Sequence, residues 1–146
     1  MKYPNKMVIN GHTIEVEATE NPLYQFYTCP TCHMPRNPDK PYRFVLDFDV
    51  KDEDKCCPAC KRKDIQPQPN SYAIGEYRTN ESKIRHYVND STEKTRTLCA
   101  SNFVHETLEA IDAICDLKLN HTQISTLAAS LYSAFSSGDV DFGMAA

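Results

Sequence analysis

The chain has 146 residues, the length of one ordinary domain or two very small ones. Its 40 % hydrophobic and 25 % charged residues are normal for a globular protein, and no run of about 18 apolar residues offers a membrane-spanning helix. The net charge of −4 is uneven: residues 99 to 146 hold Lys118 alone against six acids, so any contact with a phosphate backbone is expected from earlier in the chain.

The N-terminus, MKYPNKMVIN, has basic residues with no apolar stretch behind them, so it does not read as a secretory signal and a cytoplasmic location is expected. Lys6 to Glu17 reads as a β-hairpin. Apolar residues flank Asn10-Gly11, a pair that accepts positive φ at both turn positions. Asn21-Pro22 ends it, and Tyr24 to Tyr27 forms a short strand running into Cys29. His33 to Pro41 holds three prolines and reads as a loop. In Tyr42 to Val50 the residues Tyr42, Phe44, Leu46, Phe48 and Val50 alternate with Arg43, Asp47 and Asp49, which is a half-buried strand. Lys51 to Lys55 is a charged turn. Lys61 to Asn70 combines a basic run with two prolines and reads as a linker.

Residues 70 to 98 are a connecting segment, with extended stretches at Tyr72 to Arg78 and Ile84 to Val88 that fit a second hairpin. Val104, Leu108, Ile111, Cys115 and Leu119 follow helical spacing, with Ser101 or Asn102 as the expected cap. A second helix aligns Ile124, Leu127, Ala128, Leu131 and Phe135, and Asn120 with Gln123 forms its capping box. The expected fold is α+β: a small β-rich, four-cysteine module with an N-terminal β-hairpin (1–69), the connecting segment (70–98), and a C-terminal αα-hairpin with a short tail (99–146).

Seven cysteines are many for this length. The count is odd, no export signal is read, and four of them form the pairs Cys29-Pro30-Thr31-Cys32 and Cys57-Pro58-Ala59-Cys60. This arrangement favours a metal over disulfides. Two residues between cysteines let both thiolates of a tight turn face one ion, and two such turns complete a tetrahedral shell. Cys29, Cys32, Cys57 and Cys60 are therefore the expected ligands of one structural ion. Zinc suits four soft thiolates, and iron also fits. Cys56 could replace Cys57, but the matched C-P-x-C spacing argues against it. Cys99 and Cys115 are expected to pack on helices.

Over residues 24 to 65 the two knuckles and the strands leading into them resemble a zinc ribbon or rubredoxin-like fold. Such knuckles often carry Gly after the second cysteine, whereas His33 and Lys61 stand there in this chain. The resemblance implies a role beside transcription, replication or translation machinery.

Other patterns are weaker. Lys61, Arg62, Lys63, Lys83, Arg85 and Tyr87 combine cations with an aromatic platform, as single-stranded nucleic acid requires, although Glu76, Glu81, Asp90 and Glu93 lie among them. A zinc-knuckle nuclease needs a His on the strand between the knuckles, and VLDFDV has none, which leaves at most a degenerate form. His105, Glu109, Asp112 and Asp116 share a helical stripe that reads as a solvated acidic face, there being no second E-x-x-H helix to complete a di-metal site. Leu127, Leu131 and Phe135 are candidates for docking a protein partner. The leading expectation is a non-enzymatic zinc-binding adaptor or regulator, of the accessory kind that phages encode for transcription or replication. A nucleic-acid-binding zinc protein is the alternative. No small-molecule substrate and no membrane role is expected.

Overall fold

The computed structural model describes residues 2–137. The C-terminal tail read from the sequence lies outside them. Two compact units divide the chain: residues 1–21 with 74–146, and residues 22–73. The second unit is thus an insertion in the first. The division expected near residue 69 instead falls inside a strand of the inserted unit.

In the first unit, β1 (Lys6–Ile9) and β2 (His12–Thr19) form the expected hairpin. Its turn takes φ 48° at Asn10 and 82° at Gly11, the positive values an Asn-Gly turn supplies at little cost. The second expected hairpin also forms, from β6 (Gly75–Arg78) and β7 (Lys83–Tyr87). The strand order is β1-β2-β7-β6, and β2 pairs parallel with β7, Glu15 opposite Lys83 through Thr19 opposite Tyr87. Alternation sends Ile14, Val16, Ile84 and His86 inward and the charged residues outward.

Helix α1 (Glu93–Cys115) covers this sheet and α2 (His121–Ser137) packs on α1. The cap of α1 is Thr92, nine residues before the expected Ser101 and ten before Asn102. The Thr92 hydroxyl accepts from the Thr95 amide at 3.1 Å in a capping box. The face of α1 that is buried is Cys99, Ala100, Phe103, Glu106 and Ala110, not the Val104-Leu108-Ile111-Cys115 stripe. Small residues there let the helix approach strands closely. At Gly75 a Cβ would stand 2.0 Å from the Asn102 amide nitrogen and 2.9 Å from Glu106.

In the inserted unit, β3 (Tyr24–Met34) pairs on one side with β4 (Asn37–Asp47) and on the other with β5 (Gln66–Ala73). Two expectations are corrected. His33 to Pro41 is not a loop, because β3 and β4 join through a short turn at Pro35-Arg36. Lys61 to Asn70 is not simply a linker, because its second half begins β5. Both β4 and β5 are edge strands, where a proline's missing N–H costs no ladder bond. The Gln25 side chain fills the irregularity between β3 and β5, its amide donating to the Gln68 carbonyl at 2.9 Å. The alternation read in Tyr42 to Val50 holds through Leu46 and fails at Phe48, which is 38 % exposed. The charged turn after it contains a 3-10 turn at Asp52–Asp54. Among the described residues, no helix is long and apolar enough to cross a membrane.

Candidate metal centre

The buried core of the inserted unit is small: Tyr27, Cys29, Phe44 and Cys57, with Cys32, Tyr42, Leu46 and Ile65 against it. Two of its four central members are thiols, so the cysteine site is the middle of this unit. The first knuckle is a bulge. Cys29 pairs with Tyr42 and His33 with Pro41, so β3 advances four residues while β4 advances one. Pro30, Thr31 and Cys32 are thereby looped out of the ladder. The second knuckle is a turn closed by its backbone: the Cys57 amide donates to the Arg62 carbonyl at 2.9 Å, and the Lys61 amide to the Cys57 carbonyl at 2.8 Å.

The two positions that lack glycine behave differently. His33 stands in β3 with no positive φ, so the bulge needs none. Lys61 has φ 65°, the left-handed conformation that glycine usually fills. The second knuckle therefore keeps its turn geometry with a lysine in the glycine's place.

Sulfur atoms of Cys29, Cys32, Cys57 and Cys60 all lie within 4.8 Å of one another, and Cys29 Sγ is 3.6 Å from Cys60 Sγ. Four bonds of about 2.3 Å at tetrahedral angles would set sulfurs about 3.8 Å apart. The donor set and its spacing thus fit one tetrahedral ion. Cys29 and Cys57 are fully buried, while Cys32 is half-buried and Cys60 exposed. The Thr31 hydroxyl, 3.5 Å from Cys29 Sγ, is the main cause holding that thiol down to about 6. A backbone donor at Arg62 lowers Cys60. Cys32 is pushed up to about 12, chiefly by sharing its proton with Cys60. Without a cation between them, these neighbours cannot all carry charge. Cys56 is half-buried beside the site and is not part of the cluster, which Cys57 joins as the matched spacing predicted.

The expected nucleic-acid residues are divided between the units. Lys61, Arg62 and Lys63 follow the last cysteine, where Arg62 Nε donates to Asp64 at 2.7 Å and Lys63 to the Glu53 carbonyl at 2.8 Å. Lys83, Arg85 and Tyr87 lie on β7. Arg85 pairs with Glu76 at 3.2 Å and with Glu17 at 3.6 Å, and Lys83 with Glu17 at 3.5 Å. Tyr87 Oη accepts from Asn89 at 2.7 Å. Each cation named here except Lys61 already has an acidic or carbonyl partner.

On α2, Ile124 and Ala128 are the buried positions. Leu127, aligned with Ile124 and Ala128 on the expected stripe, is 42 % exposed and not among the buried positions of α2. Leu131 and Phe135 line an apolar groove of about 250 Å³ with Met7, Phe103, Leu108 and Ile111. Of the acidic stripe, Asp112 accepts from the Leu119 amide at 2.9 Å and Asp116 caps α1 at φ 51°, so both serve the turn between helices. His105 and Glu109 gather instead with His121. Sequence reading missed His121 because it looked for an E-x-x-H motif on a second helix, and His121 opens α2 without one. The available signal was its place just after the Asn120 cap, beside the last turns of α1.

Comparison with protein-family models, with curated proteins and with solved structures found no match. The four-cysteine cluster is what the chain shares with zinc-binding knuckles, and it could hold one metal ion.

Proposed function

We propose that the protein is a non-enzymatic zinc-binding adaptor whose inserted unit is a zinc-ribbon-type module built on one structural ion. The observation that carries this reading is the convergence of four thiols from two knuckles, within 4.8 Å, in the core of a unit that has little else to bury. Four thiolates fill the shell of zinc and leave no position for water, which suits a structural ion and not a catalytic one. The adaptor role is supported by the apolar groove beside Leu131 and Phe135. It is supported also by the acidic character of the C-terminal third, which complements a basic, apolar segment of a protein partner.

Metal analysis and native mass spectrometry of the purified chain test the first claim. One tightly held zinc per chain is expected, lost in Cys57→Ser. A metal-free chain with residues 22–73 folded would end it. For the adaptor claim, a partner held by the parent protein should be lost with Leu131→Asp and kept with Leu127→Asp. Equal capture by both variants would remove the groove from the proposal.

A further inference from the structure

We propose that His105, Glu109 and His121 form a second metal site, distinct from the four cysteines, that takes a divalent first-row transition ion such as Zn2+ with water in its open position. Two imidazoles and one carboxylate are a donor set that zinc accepts when one coordination position is left to solvent. The three donor atoms lie within 4.8 Å of one another. His105 Nε2 is 3.2 Å from Glu109 Oε1, and His121 Nδ1 is 4.0 Å from the same oxygen. Metal bonds of about 2.0–2.1 Å at tetrahedral angles require donors about 3.3 Å apart, so an ion needs only a small adjustment of His121.

The sequence fixes this geometry from both sides. His105 and Glu109 are four residues apart on α1 and therefore share a face. His121 begins α2, and its place is set by the turn before it. There Asp116 and Lys118 adopt φ 51° and 58°, the Asp112 carboxylate holds the Leu119 amide, and Asn120 and Gln123 cap each other at 2.9 Å. A neighbouring hydroxyl is placed to favour one tautomer of His121. The Ser125 hydroxyl lies 3.4 Å from His121 Nε2. When Nε2–H donates to that hydroxyl, the Nδ1 lone pair faces Glu109 and is free for an ion, an outer-shell arrangement common among histidine ligands. No fourth His, Cys, Asp or Glu joins the group among the described residues. Side-chain exposures of 16 %, 33 % and 78 % for His105, Glu109 and His121 leave the site open to entry from solvent.

The test uses the full chain with its cysteine site already loaded. Titration calorimetry with Zn2+ should show one further equivalent, and the ring protons of His105 and His121, but not of His12, should shift in NMR spectra. His121→Ala and Glu109→Gln should each weaken this binding at least about tenfold. Because His121 is mostly exposed, its variant should keep the parent's circular dichroism. Cys57→Ser should lose the first equivalent and keep the second, so failure of one site is told apart from failure of the other. Absence of a further equivalent in the parent, or its full retention in His105→Ala/His121→Ala, would overturn the proposal.

Discussion

Cys57 is fully buried and closes the turn of the second knuckle through its own amide, so it belongs both to the four-thiol cluster and to the backbone of the turn. Zinc contributes roughly 10–16 kcal/mol of apparent folding free energy in comparable peptides, far more than the few aromatic contacts of this small core. Cys57→Ser or a strong chelator should therefore collapse the amide NMR dispersion of residues 22–73. Cys56→Ser should leave zinc content and dispersion unchanged, and zinc loss in that variant would move the ligand by one residue. His86 is the opposite kind of buried residue. It is fully enclosed, edge-on to Tyr3 and tilted against Phe103, and neither ring nitrogen has a partner. Burial lowers its pKa to about 4. Between pH 4 and 6.5 the unfolded chain binds the proton that the folded chain refuses, so this residue leaves stability intact above 6.5 and erodes it as pH falls to 4. The loss amounts to about 3 kcal/mol. Glu106 tilts the other way: burial first, then the neighbouring Glu109, pushes its carboxyl up to about 8, and its effect is to erode stability as pH rises. The contribution of His86 is therefore read as a difference, by urea denaturation of His86→Leu against the parent. The variant should lose the acid limb, and parallel curves would show that His86 stays solvated or paired.

At the scale of elements, α1 is pressed against β6 so closely that Gly75 has no room for a methyl group. Gly75→Ala should cost about 1–3 kcal/mol in a denaturation series. An unchanged midpoint would mean that Asn102 swings away freely. On α2, Ile124→Asp should cost several kcal/mol, because it buries an unpaired charge, whereas Leu127→Asp should stay within about 0.5 kcal/mol. Similar losses in both variants would return Leu127 to the buried positions. That contrast marks where the sequence was legible. Asn10-Gly11 and the Asn120–Gln123 box are local devices whose chemistry names their own structure, and both were readable. The buried face of α1 was not, because Val104, Leu108 and Ile111 have the stronger apolar pattern while Ala100 and Ala110 mark the closest approach. Small residues carry little hydropathy, so periodicity points past them. Prolines misled in the same way: Pro38 and Pro41 read as loop, yet an edge strand has spare positions for them. At the candidate metal centre the four cysteines that cluster were legible from spacing. What spacing did not show is that one knuckle is a strand bulge and the other an αL turn.

For the whole molecule, the least local fact is that β2 pairs in parallel with β7, across an insertion of 52 residues from Pro22 to Ala73. No sequence pattern announces a pairing whose halves are separated by a second unit. The ends of the insertion are held together on both sides. Within the inserted unit, the Leu23 amide donates to the Ala73 carbonyl at 2.9 Å. Within the first unit, the end of β7 holds both flanks: the Val88 amide donates to the Thr19 carbonyl at 3.0 Å and the Tyr87 amide to the Ile74 carbonyl at 2.8 Å. Asn21 and Ile74 therefore emerge beside each other, and a short Gly-Ser link can replace everything between them without stretching the sheet. The core cluster of the first unit, Ile14, Val16, Ile84, Phe103 and Ala110, is formed from that unit's own residues. A chain with residues 22–73 replaced by such a link should keep its helical circular dichroism and a cooperative urea transition, and should lose the tightly held zinc. A peptide of residues 22–73 should fold only when zinc is added, since its core is built around the four thiols. If the linked chain instead loses its helices, the insertion supports the first unit through contacts beyond its two ends, and the two units fold as one.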